Sequence, residues 1–252
     1  MIARARAVAM GCLLLAAAIP AAAPAQSPAS ASLETFVAEG SVGPYRAGLN
    51  LTIRDRREVV AAHYYYASTG KDIPLKIVQV GETLVLDEPD GARMALALTN
   101  ADPKEPRPLN FATATGLAGQ WTSGAKALPA RFGFGTVLQG PSPARWYGDV
   151  TRESDAAFEA RVRRFLNAVR KGDCKVLAGT MSYPLTINGR TRVTVRLAAA
   201  FSPYCRQVLA PASVARLREA IPHEMFVRDG QAMVANGTAW FDANGAKALN
   251  LP

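Results

Sequence analysis

Residues 83–98 read TLVLDEPDGARMALAL. Two alternating runs, 83–86 and 94–98, flank Glu88-Pro89-Asp90-Gly91, in which proline fixes φ at the corner and glycine accepts a positive φ. That is a hairpin, and the same pattern repeats outward in both directions. Upstream, residues 45–53 alternate apolar with small or polar side chains as a half-buried strand does, and Arg54-Asp55-Arg56 turns the chain. Residues 59–66 and 73–80 give two more strands, separated at Ser68-Thr69-Gly70, with Pro74 near a strand start where its missing N–H matters least. Downstream, a proline-rich loop (102–108) precedes a hairpin of residues 117–121 and 128–134 around Ser123-Gly124. Hairpin follows hairpin without a crossover helix. Residues 36–138 therefore predict an antiparallel β meander whose edges must be protected, as a small barrel or strongly curled sheet.

The pattern changes after this meander. Residues 139–153, with Gly140-Pro141-Ser142-Pro143, show no periodicity and predict a linker. Ser154 is an N-cap candidate, Phe158, Val162, Phe165, Leu166 and Val169 fall on one helical face, and Gly172 stops the helix. Arginines and Lys171 cover its other faces, a solvated surface or one for an anionic partner. A second short helix is expected near residues 176–181 and an extended stretch from Tyr183-Pro184-Leu185 through the Asn188-Gly189 turn. Residues 197–221 are helix-rich, with Ser213 as a further cap candidate. Strands follow at 225–227, 232–234, 238–241 and 247–251, joined at Asp229-Gly230, Asn236-Gly237 and Asn244-Gly245. The fold class is α+β, residues 154–252 forming the second domain.

Composition bounds the function. The chain of 252 residues, 49% hydrophobic and 19% charged, can bury a core. Arg4 and Arg6, an apolar run at 10–19 and Ala23-Pro24-Ala25 form a signal peptide of residues 1–25, followed by a Ser/Ala/Pro spacer at 26–35. The expected location is periplasmic or secreted, with no transmembrane segment in the mature chain. Without Arg4 and Arg6, the net charge falls from +9 to +7. That excess suits an anionic surface, but it is interspersed with acids and lacks a recognition motif, so nucleic acid is excluded as a partner. Cys12 leaves with the signal, and Cys174 and Cys205 are expected to pair in an oxidising compartment. The only two histidines, His63 and His223, have no ligand spacing from a cysteine or from each other. No metal or other cofactor is expected, and neither a Gly-x-Ser-x-Gly elbow nor a phosphate-cradling loop is present.

The helix ending Phe165-Leu166-Asn167-Ala168, the Gly172-Asp173 break, the Tyr183-Pro184-Leu185 entry and the terminal hairpin through Trp240-Phe241 resemble the cone-shaped α+β superfamily named for nuclear transport factor 2. The β-rich half, with Tyr64 to Tyr66 and Trp121, looks like the leading domain of uncharacterised exported bacterial proteins. The resemblance implies a cone whose enzymes direct an acid or histidine, often with a tyrosine, into a cavity; Asp173, Tyr183, Tyr204, His223, Glu224, Asp229 and Asp242 are the groups available. His223 and Glu224 are adjacent in an extended segment and converge only if the backbone bends. His63 and Tyr65 should share one face of their strand, Tyr64 and Tyr66 the other. Tyr183, Tyr204, His223, Tyr65 and Trp121 are the candidate ligand-binding residues, and no residue is assigned a catalytic role. The expected function is noncatalytic binding of a small ligand or envelope partner. The alternatives are a lyase or isomerase acting in the cone, and an envelope adaptor or inhibitor of an acidic protein.

Overall fold

The computed structural model describes residues 32–79, 81 and 83–252. The expected signal peptide and most of the spacer lie outside these residues. Nine strands make the first sheet: β1 (Leu33–Val42), β2 (Tyr45–Arg54), β3 (Glu58–Tyr66), β4 (Ile73–Pro74), β5 (Lys76–Gln79), β6 (Thr83–Asp87), β7 (Arg93–Thr99), β8 (Gly116–Ser123) and β9 (Lys126–Gln139). Their order is β4-β3-β2-β1-β9-β8-β7-β6-β5, all antiparallel. β1 begins within the expected spacer, and its pairing with β9 joins two meanders into one sheet. Only Leu75 separates the edge strands β4 and β5, and its N–H donates to Ala62 O at 2.9 Å. The sheet consequently curls until it is nearly closed, which limits its exposed edges. Leu49, Leu51, Leu86, Met94 and Leu96 are fully buried inside it.

The second half contains α1 (Asp155–Lys171), α2 (Cys174–Ala178), β10 (Met181–Asn188), β11 (Arg192–Val195), α3 (Ser202–Val208), α4 (Pro211–Arg218), β12 (Phe226–Arg228), β13 (Gln231–Val234), β14 (Ala239–Asp242) and β15 (Gly245–Asn250). Its sheet order is β11-β10-β15-β14-β13-β12, mixed because β10 and β15 run parallel. Ser154 caps α1 by accepting from Ala157 N–H, and Gly172 ends it at φ 67°. The expected stripe from Phe158 to Val169 is buried, with Phe165 edge-on to Phe241 at 5.2 Å. Ser213 is not a cap: α4 starts at Pro211, placing the buried Ser213 hydroxyl inside the helix with no hydrogen-bond partner. Cys174 and Cys205 form a disulfide between α2 and α3, with Cα atoms 5.8 Å apart.

Residues 139–153 are not a bare linker. Trp146, Tyr147 and Val150 pack into the second core, and Trp146 Nε1 donates to Met225 O at 2.7 Å. The two hydrophobic cores are separate, yet the described residues belong to one compact unit. Among the described residues, no helix is long and apolar enough to cross a membrane.

Candidate functional site

The alternation of β3 sends Tyr64 into the barrel core and turns His63 and Tyr65 outward, toward the second half. Asn50, opposite His63 on β2, shares that outer face. Tyr65 occupies space that a side chain at Gly48 would fill; its hydroxyl donates to His223 O at 3.4 Å, and its ring stands edge-on to His223 at 4.2 Å. From the other side come Glu159 and Arg163 on α1, Tyr147, and the segment His223-Glu224 between α4 and β12. Glu224 has φ 47°, a left-handed bend in a non-glycine residue. This bend lets neighbours in sequence aim into one cluster, the convergence that a straight strand forbids.

The contacts are short and mostly charged. His63 Nε2 lies 2.7 Å from Glu224 Oε1 and 3.5 Å from Asp72 Oδ1. His223 Nε2 lies 3.1 Å from the same Asp72 oxygen. Asn50 Nδ2 is 3.4 Å from both Glu224 oxygens. Behind His223, its Nδ1 is 2.7 Å from Glu159 Oε1 but too poorly aligned for a hydrogen bond, so this contact is electrostatic. Tyr147 OH donates to Glu159 at 3.1 Å and accepts from Met225 N–H at 3.0 Å, while Arg163 approaches Glu159 Oε2 at 3.6 Å. Gly70 has φ 58°, a left-handed conformation that favours glycine, and lies against the end of the Arg163 side chain. The Asp72 side chain is 53% exposed, against 22% for His63, 12% for His223 and 7% for Glu224, so the cluster opens to solvent on the Asp72 side.

Burial disfavours a charged imidazole, yet the carboxylates outweigh it at both histidines. His63 is raised above its ordinary value by Glu224 and Asp72, and His223 is raised to about 9 by Asp72, Glu159 and Glu224. The hydrogen bond from His223 lowers Asp72. Burial pushes both Tyr65 and Tyr147 well above the phenol range, so they remain neutral donors. With both imidazoles protonated, the three carboxylates face two imidazolium groups and Arg163. Because the folded histidine values lie above the unfolded value of about 6.5, this stabilisation is fully present below about pH 6.5 and disappears as pH rises through the folded values. The melting temperature of metal-free protein should therefore fall between about pH 6.5 and pH 9, and the fall should shrink in His223→Gln. A flat or rising profile in that window would contradict this account.

The three groups His63, Asp72 and Glu224 offer ligand atoms that all lie within 4.8 Å of one another. Two ligands at about 2.0–2.1 Å from a tetrahedral ion stand about 3.3 Å apart, close to the spacings observed here. His223 adds a second imidazole beside Asp72, with the buried Glu159 carboxylate 2.7 Å from its opposite nitrogen. The absence of a local spacing motif thus does not exclude a site made by the tertiary fold: His63 and Glu224 are 161 positions apart.

Of the candidate ligand-binding residues, His223 and Tyr65 come together here. Tyr183 donates to Ala178 O at 2.9 Å, and Tyr204 packs at the margin of the second core. Trp121 belongs to a different cluster, where its indole and Tyr64 both donate to buried Glu88. Asp173 caps α2, Asp229 pairs with Arg228, and Asp242 accepts from Ser182. Asn50, His63, Asp72, Glu159 and Arg163 were not site candidates from sequence; the useful signal was the outward pairing of His63 with Tyr65. No family model, curated protein or solved structure matches the chain.

Proposed function

We propose that the chain is an exported, noncatalytic binding protein that holds one divalent transition-metal ion at the seam between its curled sheet and a cone-like second half. The observation carrying this reading is the convergence of His63, Asp72 and Glu224, with His223 beside Asp72. Imidazole and carboxylate donors without thiolate suit zinc or a neighbouring first-row ion. His63, Asp72 and Glu224 are the proposed ligands; His223 holds the Asp72 carboxylate from its other side, with Glu159 behind it. The second half supports binding over cavity catalysis, because Phe158, Phe165, Phe201 and Phe241 fill its core.

Metal-free protein dialysed against a slight excess of zinc should retain one ion per chain, measured by elemental analysis. Asp72→Asn, altered on the exposed side, and His63→Ala should each weaken retention by about tenfold or more. Cobalt substitution should give the visible spectrum of a low-coordinate site. Failure of the folded wild type to retain zinc, or equal retention by both variants, would reduce the cluster to an ion-pair network.

A further inference from the structure

On one flank of α1, beside its buried face, a cleft of about 440 Å³ lies between this helix and α2. Its walls carry Arg161, Arg164, Lys171 and Lys175 against a single acid, Asp173. Two of these five charges already have partners. Arg161 is held by Glu153 at 2.7 Å and by Ala243 O, and Asp173 accepts from Val176 N–H as the cap of α2. Arg164, Lys171 and Lys175 have no carboxylate within 4.0 Å among the described residues. Three like charges thus line one concavity with Asp173 as the only carboxylate in its walls.

A second cleft on the other flank of α1 provides the contrast. It is lined by Arg46, Arg163, Arg170 and Arg218, but Arg46 pairs with Glu219 at 2.9 Å, Arg163 faces Glu159, and Arg170 bonds Asn167 and Arg218 O. Arg46, Arg163 and Arg170 there make contacts within the fold, whereas Arg164, Lys171 and Lys175 of the first cleft have no carboxylate partner among the described residues. Their backbone positions are anchored: Arg164 and Lys171 ride on a helix held by its buried face, and Lys175 follows Cys174, which the disulfide ties to α3. A lone carboxylate would leave two of the three cations unmatched. A phosphate ester or diphosphate carries enough charge and enough acceptor oxygens for all three.

We infer that the cleft between α1 and α2 binds a phosphate-bearing ligand through Arg164, Lys171 and Lys175. This site is separate from the seam and does not depend on the metal reading. Two sources share the chemistry, a soluble phosphate compound and a phospholipid headgroup. The test uses metal-free full-length mature protein, with inorganic pyrophosphate by calorimetry and, in a second arm, phosphatidylcholine vesicles with or without phosphatidylglycerol by sedimentation. Pyrophosphate should bind, and the pair Arg164→Glu with Lys171→Glu should weaken it by about tenfold or more. The pair Lys104→Glu with Arg152→Glu makes the same charge change outside the cleft and should leave binding within about twofold. Vesicle binding that requires phosphatidylglycerol and is lost with the first pair assigns the headgroup; binding of pyrophosphate alone assigns a soluble ligand. Binding of neither probe, or equal loss in both charge-reversed pairs, overturns the proposal. Melting temperatures and circular dichroism of the two double variants verify that each is folded.

Discussion

Glu159→Ala should destabilise the folded protein by about 3–5 kcal/mol, the usual cost of removing one partner from a buried ionic cluster. The carboxylate is only 6% exposed and meets His223, Tyr147 and Arg163 together. Its removal leaves a protonated imidazole and a guanidinium in a site too buried for water to replace the lost charge, and the Tyr147 hydroxyl loses its acceptor. Glu159→Gln should cost less, since an amide oxygen still accepts from Tyr147 while the charge is lost. Asp72→Asn provides the comparison: its side chain is half exposed, so the change should cost about 1 kcal/mol or less. Urea unfolding of the three variants gives the order directly. If Glu159→Ala falls within about 1 kcal/mol of wild type, the cluster contributes little to stability. If Asp72→Asn is as severe as Glu159→Ala, burial is not what distinguishes them.

Local interactions made most of the fold readable from sequence. The Pro89-Gly91 corner, the Ser154 cap and the Gly172 stop act over a few residues, and the structure has a turn or helix end at each. The stripe from Phe158 to Val169 was legible for the same reason: 3.6-residue periodicity and burial on one side of a helix are the same fact. What could not be read was pairing across long separations. β1 has no turn signal linking it to β9, because that contact closes a loop across the whole meander. The parallel partnership of β10 and β15 likewise leaves no mark in either segment. The seam is the extreme case. It gathers residues from 50 to 224, and each alone fits an ordinary surface position. One feature was local and still hidden: a positive φ at Glu224, normally signalled by Gly, Asn or Asp, is imposed here by tertiary contacts to His63 and Asn50. The packing of residues 146–150 within the expected linker was hidden for a related reason. Gly140-Pro141-Ser142-Pro143 has no periodicity, but Trp146 and Tyr147 just beyond it are single anchors, which periodicity cannot detect.

Reduction of Cys174–Cys205 should lower stability by about 3–4 kcal/mol, the loop-closure value for a separation of 31 residues. The bond constrains the unfolded chain between α2 and α3, and Cys205 is itself buried in the second core. Denatured, unreduced protein should take up no alkylating label at these two positions and reduced protein two; labelling of both without reduction would show that the bond does not form. The consequence for the curled sheet follows from the seam. Two separate cores joined by a flexible linker would respond separately, the second losing stability and the first keeping it. Here Tyr65, His63 and Asn50 of the sheet contact His223 and Glu224, and the segment before α1 is packed, so loss of the second half exposes charged groups that the sheet alone leaves unpaired. Reduction should therefore shift the transition of both halves. A variant with Trp146→Phe and Trp240→Phe leaves Trp121, within the sheet, as the single indole reporter. Its fluorescence midpoint should fall on reduction together with the far-ultraviolet helix signal from the second half. A Trp121 midpoint that stays fixed while the helix signal falls would mean that the seam contacts do not couple the two cores.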